Sequence, residues 1–226
     1  MAKSGWIQTL QSKPDKNVKQ QFILNIRSDK VKNMANISIR TAKEADRMGI
    51  SRVIAFAFEK DFSTLIKDMD KVSMALESGI DVNRFFAAES ENQIIGVTAC
   101  TDCDGRAVSI DKKAFRKHFG LLRGLLANIF LAPEFTTPLP YPKSTGYIEF
   151  VAVTKNARNK GVAAAMLKTV VEQTNYDEYM LDVTDINIAA QACYTKFGFI
   201  EVKRVKEKNG KQKGFNEKIY MRYPRF

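Results

Sequence analysis

One segment near the middle of the chain, Tyr147–Leu167, most narrows what this sequence can fold into. It begins with Tyr147–Val153, whose β-branched and aromatic residues favour a strand. A polar loop follows and leads into Gly161. Beyond the loop, apolar residues recur at the spacing of a buried helix face: Met166, Leu167, Val170 and Val171. Shorter segments of the same kind alternate through the rest of the chain, so we predict one α/β domain with a mixed sheet.

The loop between this strand and this helix has the composition of an anion-binding site. Free backbone N–H groups at a helix start point outward, and the helix dipole adds partial positive charge there. Gly161 allows the backbone to approach a phosphate closely, Ala163 keeps the next turn small, and Arg158 adds a fixed charge. The strand–loop–helix register therefore predicts a site for a phosphate-bearing ligand.

Two motifs in this part of the chain resemble the GCN5-related N-acetyltransferase (GNAT) superfamily. Its signature, V-x-V followed by [QR]-x-x-G-x-[GA], is matched at Val151–Val153 and Arg158–Ala163. A second family pattern, N-x-x-A-x-x-x-Y-x-K-x-G-F, is matched by Asn187, Ala190, Tyr194, Lys196, Gly198 and Phe199. The resemblance covers about Ile37 to Phe226. It implies an α/β (α+β) fold with a mixed, mostly antiparallel central sheet, flanked by helices and splayed at the cofactor-binding strands.

The resemblance also implies a cofactor site, with acetyl-CoA as co-substrate and no metal. By family position, backbone groups of the strand bond the pantetheine arm, at Val151, Ala152 and Val153. The loop residues that meet the diphosphate are Arg158, Asn159, Lys160, Gly161, Val162 and Ala163. Asn187 would touch the cofactor near the pantetheine, and Tyr194 would lie close to its sulfur.

The implied reaction is transfer of the acetyl group to a primary amine, on a small molecule or a protein, by direct attack on the thioester. The Val151 N–H is the candidate that polarises the thioester carbonyl. By family position Tyr194 would protonate the departing thiolate, and the alternative is a tyrosine that only packs the helix against the sheet.

A base is also needed, because an ammonium has no lone pair until it loses a proton. Glu149 is the first candidate, since period-two alternation predicts that it shares a face with Val151 and Val153. An equally weighted alternative makes it a half-buried carboxylate that bonds nearby backbone or attracts a cationic substrate. Asp182 and Asp185 are weaker candidates.

Composition divides the chain into a basic N-terminal extension, residues 1–34, and an acetyltransferase domain, residues 35–226. We expect a helix near Val18–Ile26 in the extension. A variable insertion at about 104–144 ends in a proline-rich tail that cannot be regular structure. By family analogy, this insertion and the early helices within 56–76 choose the acceptor, whose identity the sequence does not give.

Shorter patterns predict the elements around this core. Ile37 and Ile39 alternate with polar residues as in a half-buried strand. Thr41 precedes Glu44 at the spacing of a capping box, which predicts a helix start there. The helix that follows should turn Met48, Val53, Ile54 and Phe58 towards the core. Residues 85–98 and 199–223 are expected to form two hairpins.

The net charge is +11, and the surplus of basic residues gathers at the two ends of the chain. Basic ends raise nucleic acid or ribosome binding as an alternative, but aromatic residues do not interleave with them as stacking sites would require. We therefore favour solvated surface. Three cysteines, Cys100, Cys103 and Cys193, do not suggest a disulfide framework, and the lone C-x-x-C lacks a second pair.

The cellular location of the protein is inferred from the lack of sequence signals for a membrane span or for secretion. The most apolar run, Leu121–Leu131, is interrupted by Arg123 and Asn128, so we expect no membrane span. A secretory leader is not expected either, and a cytoplasmic enzyme is the default. Two alternatives to the acetyltransferase stay open: use of another acyl-CoA, and a non-catalytic CoA-binding module that binds RNA or the ribosome. A homodimer is an analogy with relatives only.

Overall fold

A computed structural model of the protein describes residues 36–60, 66–120, 137–208 and 210–225. The predicted helix near Val18–Ile26 lies outside the described residues, and the domain boundary at residue 35 stays a prediction. Across the described ranges the strands are β1 Ser38–Thr41, β2 Phe85–Ser90, β3 Gln93–Thr101, β4 Thr145–Val153, β5 Glu178–Thr184, β6 Ile200–Lys206 and β7 Glu217–Pro224. The helices are α1 Arg47–Ala57, α2 Met69–Glu77, α3 Val162–Gln173, α4 Ile188–Phe197 and α5 Gly210–Lys213, and residues 112–120 are also helical.

The strands form one sheet in the order β1-β2-β3-β4-β5-β7-β6. Every neighbouring pair is antiparallel except β4 and β5, which are parallel. The predicted mixed, mostly antiparallel sheet flanked by helices is therefore confirmed. So is the first hairpin, where β2 and β3 are joined by Glu91 and Asn92, both at positive φ, as the tight turn of a two-residue hairpin requires.

The two faces of the sheet have different covers. We call the side packed against α1 and α2 the front face; its core includes Val97, Ala99 and Ala152. The back face packs against α3 and α4, where clusters of apolar residues surround Leu167 and Met166. Burial of these two layers of apolar side chains is the main force that holds the helices on the sheet.

The tail of the insertion covers another part of the front face. Residues 137–142 form no helix or strand, which confirms the prediction for the described part of the tail. Leu139 packs there with Tyr147 of β4 and Met180 of β5, and Tyr141 and Tyr220 lie against them. The insertion therefore reaches the strands at the middle of the sheet.

The predicted helix start at Thr41 is wrong. Thr41 is the last residue of β1, where it pairs with Phe86. A 3-10 turn, Glu44–Asp46, precedes α1, and its Asp46 carboxylate accepts a 2.7 Å hydrogen bond from the Lys43 N–H. The box spacing thus occurs two residues later, because pairing with β2 keeps Thr41 extended. Met48 is also 39% exposed and does not belong to the core.

The helices of the described ranges include none that has both the length and the apolar character needed to cross a membrane.

Candidate active site

The parallel strands β4 and β5 separate after a short paired stretch. Their register runs only from Thr145 opposite Glu178 to Tyr147 opposite Met180. Beyond those pairs, residues 148–153 of β4 and 181–184 of β5 are not paired with each other. We call this gap the seam. The splay that was predicted at the cofactor-binding strands is therefore present.

A bulge interrupts β4 beside the seam. Ala99 of β3 lies opposite Glu149, and Val97 lies opposite Ala152, so three steps along β4 match two along β3. Phe150 has φ 54°, a conformation that costs a bulky residue on the order of 1–3 kcal/mol. Its ring packs against Phe58 and Phe85 at centroid distances of 6.0 and 6.1 Å, which holds the bulge in place.

The bulge leaves backbone groups of β4 directed at the seam. The Thr154 N–H donates to the Ile95 carbonyl of β3 at 2.8 Å. Since alternate residues of a strand direct these groups to opposite sides, the N–H and C=O groups of Val153 and Val151 point away from β3. The Arg158 Nε–H donates to the Val153 carbonyl at 3.2 Å, which agrees with this direction. An extended ligand could therefore bond β4 there as an added strand.

The loop after β4 ends in a helix start with unused donors. Gly161 is the N-cap residue of α3 and has φ 86°. No side chain caps this end of the helix. The first N–H groups of the helix, from Val162 on, have no acceptor within it. A Cβ added at Gly161 would meet nothing within 4 Å, so the loop is open there, and glycine is needed for its positive φ. Cations surround the loop: Lys155, Arg158 and Lys160.

Glu149 lies on the other face from the one predicted. It is opposite Ala99 on the front face, whereas Val151 packs against the back-face cluster. The prediction that the two share a face is wrong, because the extra residue at Phe150 reverses the alternation. Val153 also packs on the back side, against the helix α3.

The Glu149 carboxylate is buried and strongly held. Its Oε1 accepts hydrogen bonds from Thr101 Oγ1 at 2.9 Å and from Arg106 Nε at 2.6 Å. Its Oε2 is buried without a hydrogen bond in the described part of the chain. Burial raises the pKa of Glu149 above the usual carboxyl value, while the nearby Arg106, Thr101 and the Ala107 amide act to lower it. The carboxylate is therefore buried rather than half-buried, and its Oε1 is held by two side chains.

Tyr194 is buried on α4 against the back of the sheet, with Phe199 at 6.1 Å. Burial raises its pKa, and the charge of Asp182 adds to the increase. The phenol is therefore protonated at neutral pH. Asn187 caps the same helix, since its side-chain oxygen accepts from the Ala190 N–H at 3.2 Å. This cap is a structural task that the motif alone did not reveal.

Asp185 and the three cysteines lie in ordinary structural environments. The Asp185 carboxylate accepts from the Asn216 N–H at 3.1 Å and so ties down the loop before β7. Cys100, Cys103 and Cys193 are free thiols. Cys100 is buried, with a pKa raised by burial to about 12, and Cys193 is half-buried.

Two features of the site were missed by sequence reasoning. Arg106, which holds Glu149, had no pattern to mark it. Asp182 was named only as a weaker base, although a charged residue between Leu181 and Val183 in an apolar strand is a usable signal. In the structure Asp182 accepts a hydrogen bond from the Tyr147 hydroxyl.

Comparison with known proteins agrees with this geometry. The model of the acetyltransferase (GNAT) family matches residues 50–199, which is more than half of the 226-residue chain. The chain therefore belongs to the GNAT acetyltransferase family, whose members are acyltransferases that use acetyl-CoA. No curated protein sequence matches it.

Solved structures share the fold at low sequence identity. An N-acetyltransferase from Staphylococcus aureus Mu50 is 17% identical with a TM-score of 0.56, over 82% of this chain and 100% of that one. A ribosomal-protein-alanine N-acetyltransferase from Brucella melitensis is 19% identical with a TM-score of 0.53, over 83% and 99%. A chain of the NatC complex bound to Gag peptide and CoA is 17% identical with a TM-score of 0.51, over 84% and 99%.

Proposed function

We propose that this protein is an N-acetyltransferase that transfers the acetyl group of acetyl-CoA directly to a primary amine. One observation carries the proposal: backbone groups of β4 that point away from β3 continue along the seam into the uncapped start of α3. An extended thioester arm attached to a diphosphate matches that sequence of donors and acceptors. The fold shared with a chain of the NatC complex bound to Gag peptide and CoA supports the choice of cofactor.

The cofactor is proposed to lie along the second half of β4. Its pantetheine arm would bond the backbone of Val151 and Val153, with Ala152 between them. The diphosphate would lie against the amides from Asn159 through Lys160, Gly161 and Val162 to Ala163. Arg158 and the nearby lysines add positive charge, and Asn187 would meet the cofactor with the part of its amide that does not cap α4.

The chemistry needs three contributions from the chain. The neutral amine attacks the thioester carbonyl carbon, so a C–N bond forms and, as the intermediate collapses, the C–S bond breaks. The Val151 N–H would stabilise the negative charge that develops on the carbonyl oxygen. Tyr194 would give its proton to the departing thiolate, because the phenol carries that proton at neutral pH.

Glu149 is the proposed base. Its free Oε2 would accept the amine proton, directly or through a water molecule. Its raised pKa makes the carboxylate a stronger base than an exposed one. The Arg106 and Thr101 contacts would fix Oε1 and leave Oε2 for this task.

Thermal unfolding with acetyl-CoA, propionyl-CoA and CoA tests the proposal. We expect acetyl-CoA to raise the Tm progressively, by an amount that corresponds to about 2.7 kcal/mol at a hundred times its Kd. Thiol release from acetyl-CoA in the presence of primary amines should then follow. A chain whose Tm responds to none of the three compounds contradicts the proposal, and faster thiol release from propionyl-CoA would shift it to another acyl donor.

A further inference from the structure

The first part of the insertion, which includes Arg106, is anchored in the front-face core. Ala107 and Val108 are buried there, and Val108 forms a β-bridge with Ile80, which follows α2. The Ala107 carbonyl accepts a 2.9 Å hydrogen bond from the Asp81 N–H. Because the backbone next to Arg106 is fixed in this way, its side chain extends from a well-held position.

The Arg106 guanidinium joins this part of the insertion to its tail and to β4. Its Nε–H donates to Glu149 Oε1 at 2.6 Å, and its Nη1–H donates to the Thr137 carbonyl of the tail at 3.2 Å. The same group lies over the Tyr147 ring, 5.8 Å from the ring centroid. One side chain therefore contacts the carboxylate of the proposed base and both ends of the insertion.

The tail lies beside that carboxylate. Tyr141 of the tail stacks on Tyr147, two residues before Glu149, with ring centroids 5.5 Å apart. Leu139 packs on the same tyrosine. At Thr137 a single guanidinium separates the tail carbonyl from Glu149 Oε1. An acceptor whose nitrogen approaches Glu149 therefore comes within reach of the tail.

A second contact between the two ends of the insertion is weaker. Lys143 Nζ lies 2.7 Å from Asp104 Oδ2, but these side chains are 76% and 55% exposed. Exposed ion pairs stabilise little, because solvent screens the charges and long side chains lose freedom. The Arg106 side chain is only 20% exposed, so its bonds tie the tail more firmly than this pair does.

The charge on Glu149 depends on the same part of the insertion. Burial raises the pKa of Glu149, and the Arg106 charge, the Thr101 hydroxyl and the Ala107 N–H act to lower it. Cys100 of β3 also interacts with Glu149, but its own pKa of about 12 keeps the thiol neutral at pH 7. Arg106 therefore influences the basicity of the carboxylate as well as its direction.

We propose that Arg106 is a positioning residue that couples the tail of the insertion, as a wall of the acceptor site, to the proposed base Glu149. This inference rests on the proposed function. A guanidinium suits both tasks, because its donors lie on separate nitrogens of one rigid plane. Thr101 bonds the same carboxylate oxygen from β3, so a change there affects the base without removing the Arg106 contact with Thr137.

Steady-state thiol release with 1,5-diaminopentane as the acceptor, followed across pH, tests the two tasks separately. Arg106→Lys keeps a positive charge beside Glu149, but one nitrogen replaces the two that bond the carboxylate and the tail. The KM for the diamine should rise about tenfold, while the pH at which kcat rises stays near the native value.

Thr101→Val removes a hydrogen bond that favours the charged form of Glu149. The carboxyl then loses its proton only at a higher pH, so the rise of kcat should move up by roughly one pH unit. The KM for the diamine should stay native, because the tail keeps its bond to Arg106. A merely structural role for these residues would not separate the two quantities.

Arg40→Lys is the matched control, since the Arg40 side chain is 27% exposed and also joins two partners, Asp46 and Glu89. It should leave both quantities at their native values. A native KM in Arg106→Lys overturns the inference, as does a native pH dependence in Thr101→Val, an equal rise of KM in Arg40→Lys, or no thiol release with the diamine. A rise in Tm with acetyl-CoA in those cases retains the cofactor site, whereas its loss means that the proposed function itself has failed.

Discussion

The two halves of β4 are built for different purposes. Its first half, Thr145–Tyr147, pairs with β3 or β5 through its length and is buried. Its second half, from Phe150 to Val153, pairs with β3 only and borders the seam. A single left-handed residue, Phe150, marks the change. The comparison teaches that a strand can supply both buried core and an open backbone edge when a bulge separates the two.

Charge is also used differently on the two sides of the bulge. Immediately before the bulge, Glu149 is matched by Arg106 at 2.6 Å inside the protein. At the open end, the cations of the loop are exposed or half-exposed and the helix start has no acidic residue in its first turn. The first arrangement neutralises a buried charge, and the second favours an anionic ligand.

We expect the largest effect from removal of the cation that pairs with Glu149 before the bulge. Arg106→Met leaves the Glu149 carboxylate buried without its cation, so we expect the free energy of unfolding to fall by about 3–5 kcal/mol in urea titrations at pH 7. Adding Glu149→Gln to that variant should restore a large part of the loss. Arg106→Lys, which keeps the charge, should cost less than Arg106→Met.

The loss of stability in Arg106→Met should depend on pH. Glu149 already has a raised pKa in the folded state, and loss of Arg106 raises it further. A carboxyl with a raised folded pKa contributes stability below its unfolded pKa and loses it as the pH rises through the folded value. The deficit of Arg106→Met should therefore shrink as the pH falls towards the usual carboxyl range. An unchanged deficit, or a double variant as unstable as the single one, would mean that Arg106 acts through packing.

We expect the next largest effect from a substitution that blocks the proposed diphosphate site at the start of α3. Gly161→Glu places a negative charge at the start of α3 and a side chain on a residue at φ 86°. We expect acetyl-CoA to bind about a hundredfold more weakly, close to 2.7 kcal/mol, by isothermal titration calorimetry. Gly161→Gln has the same backbone cost without the charge and should lose roughly tenfold. Equal affinity in Gly161→Glu and the native protein would contradict the assignment of the diphosphate.

A smaller effect is expected from removal of the hydroxyl of Tyr194, the proposed proton donor. Tyr194→Phe removes the hydroxyl and keeps the packing against Phe199, so kcat should fall by roughly ten- to a hundredfold while the acetyl-CoA-induced rise in Tm stays. The measurement is thiol release at saturating acetyl-CoA and 1,5-diaminopentane. A native kcat in Tyr194→Phe would leave the tyrosine as a packing residue only.

Much of the structure on both sides of the bulge could be predicted from local sequence patterns. The β-branched and aromatic residues of β4, the glycine before α3 and the apolar face of α3 are each contained within a few residues, so the strand–loop–helix unit was predicted correctly. The hairpin of β2 and β3 was predicted for the same reason. Family motifs then supplied the sheet architecture.

The errors come from contacts that no local pattern contains. The bulge at Phe150 depends on Phe58 and Phe85, far away in the chain, and a phenylalanine carries none of the signal that a glycine gives for positive φ. Without the bulge, simple alternation placed Glu149 on the wrong face. The pairing of Arg106 with Glu149 is likewise set by the fold rather than by spacing.

The most direct test of the central claim is a crystal structure of the protein grown with CoA. We predict that the diphosphate lies within about 3 Å of the N–H groups from Gly161 to Ala163 and that the pantetheine arm runs beside Val151 and Val153. CoA bound at another surface, or a seam without ligand at a saturating concentration, would contradict the account.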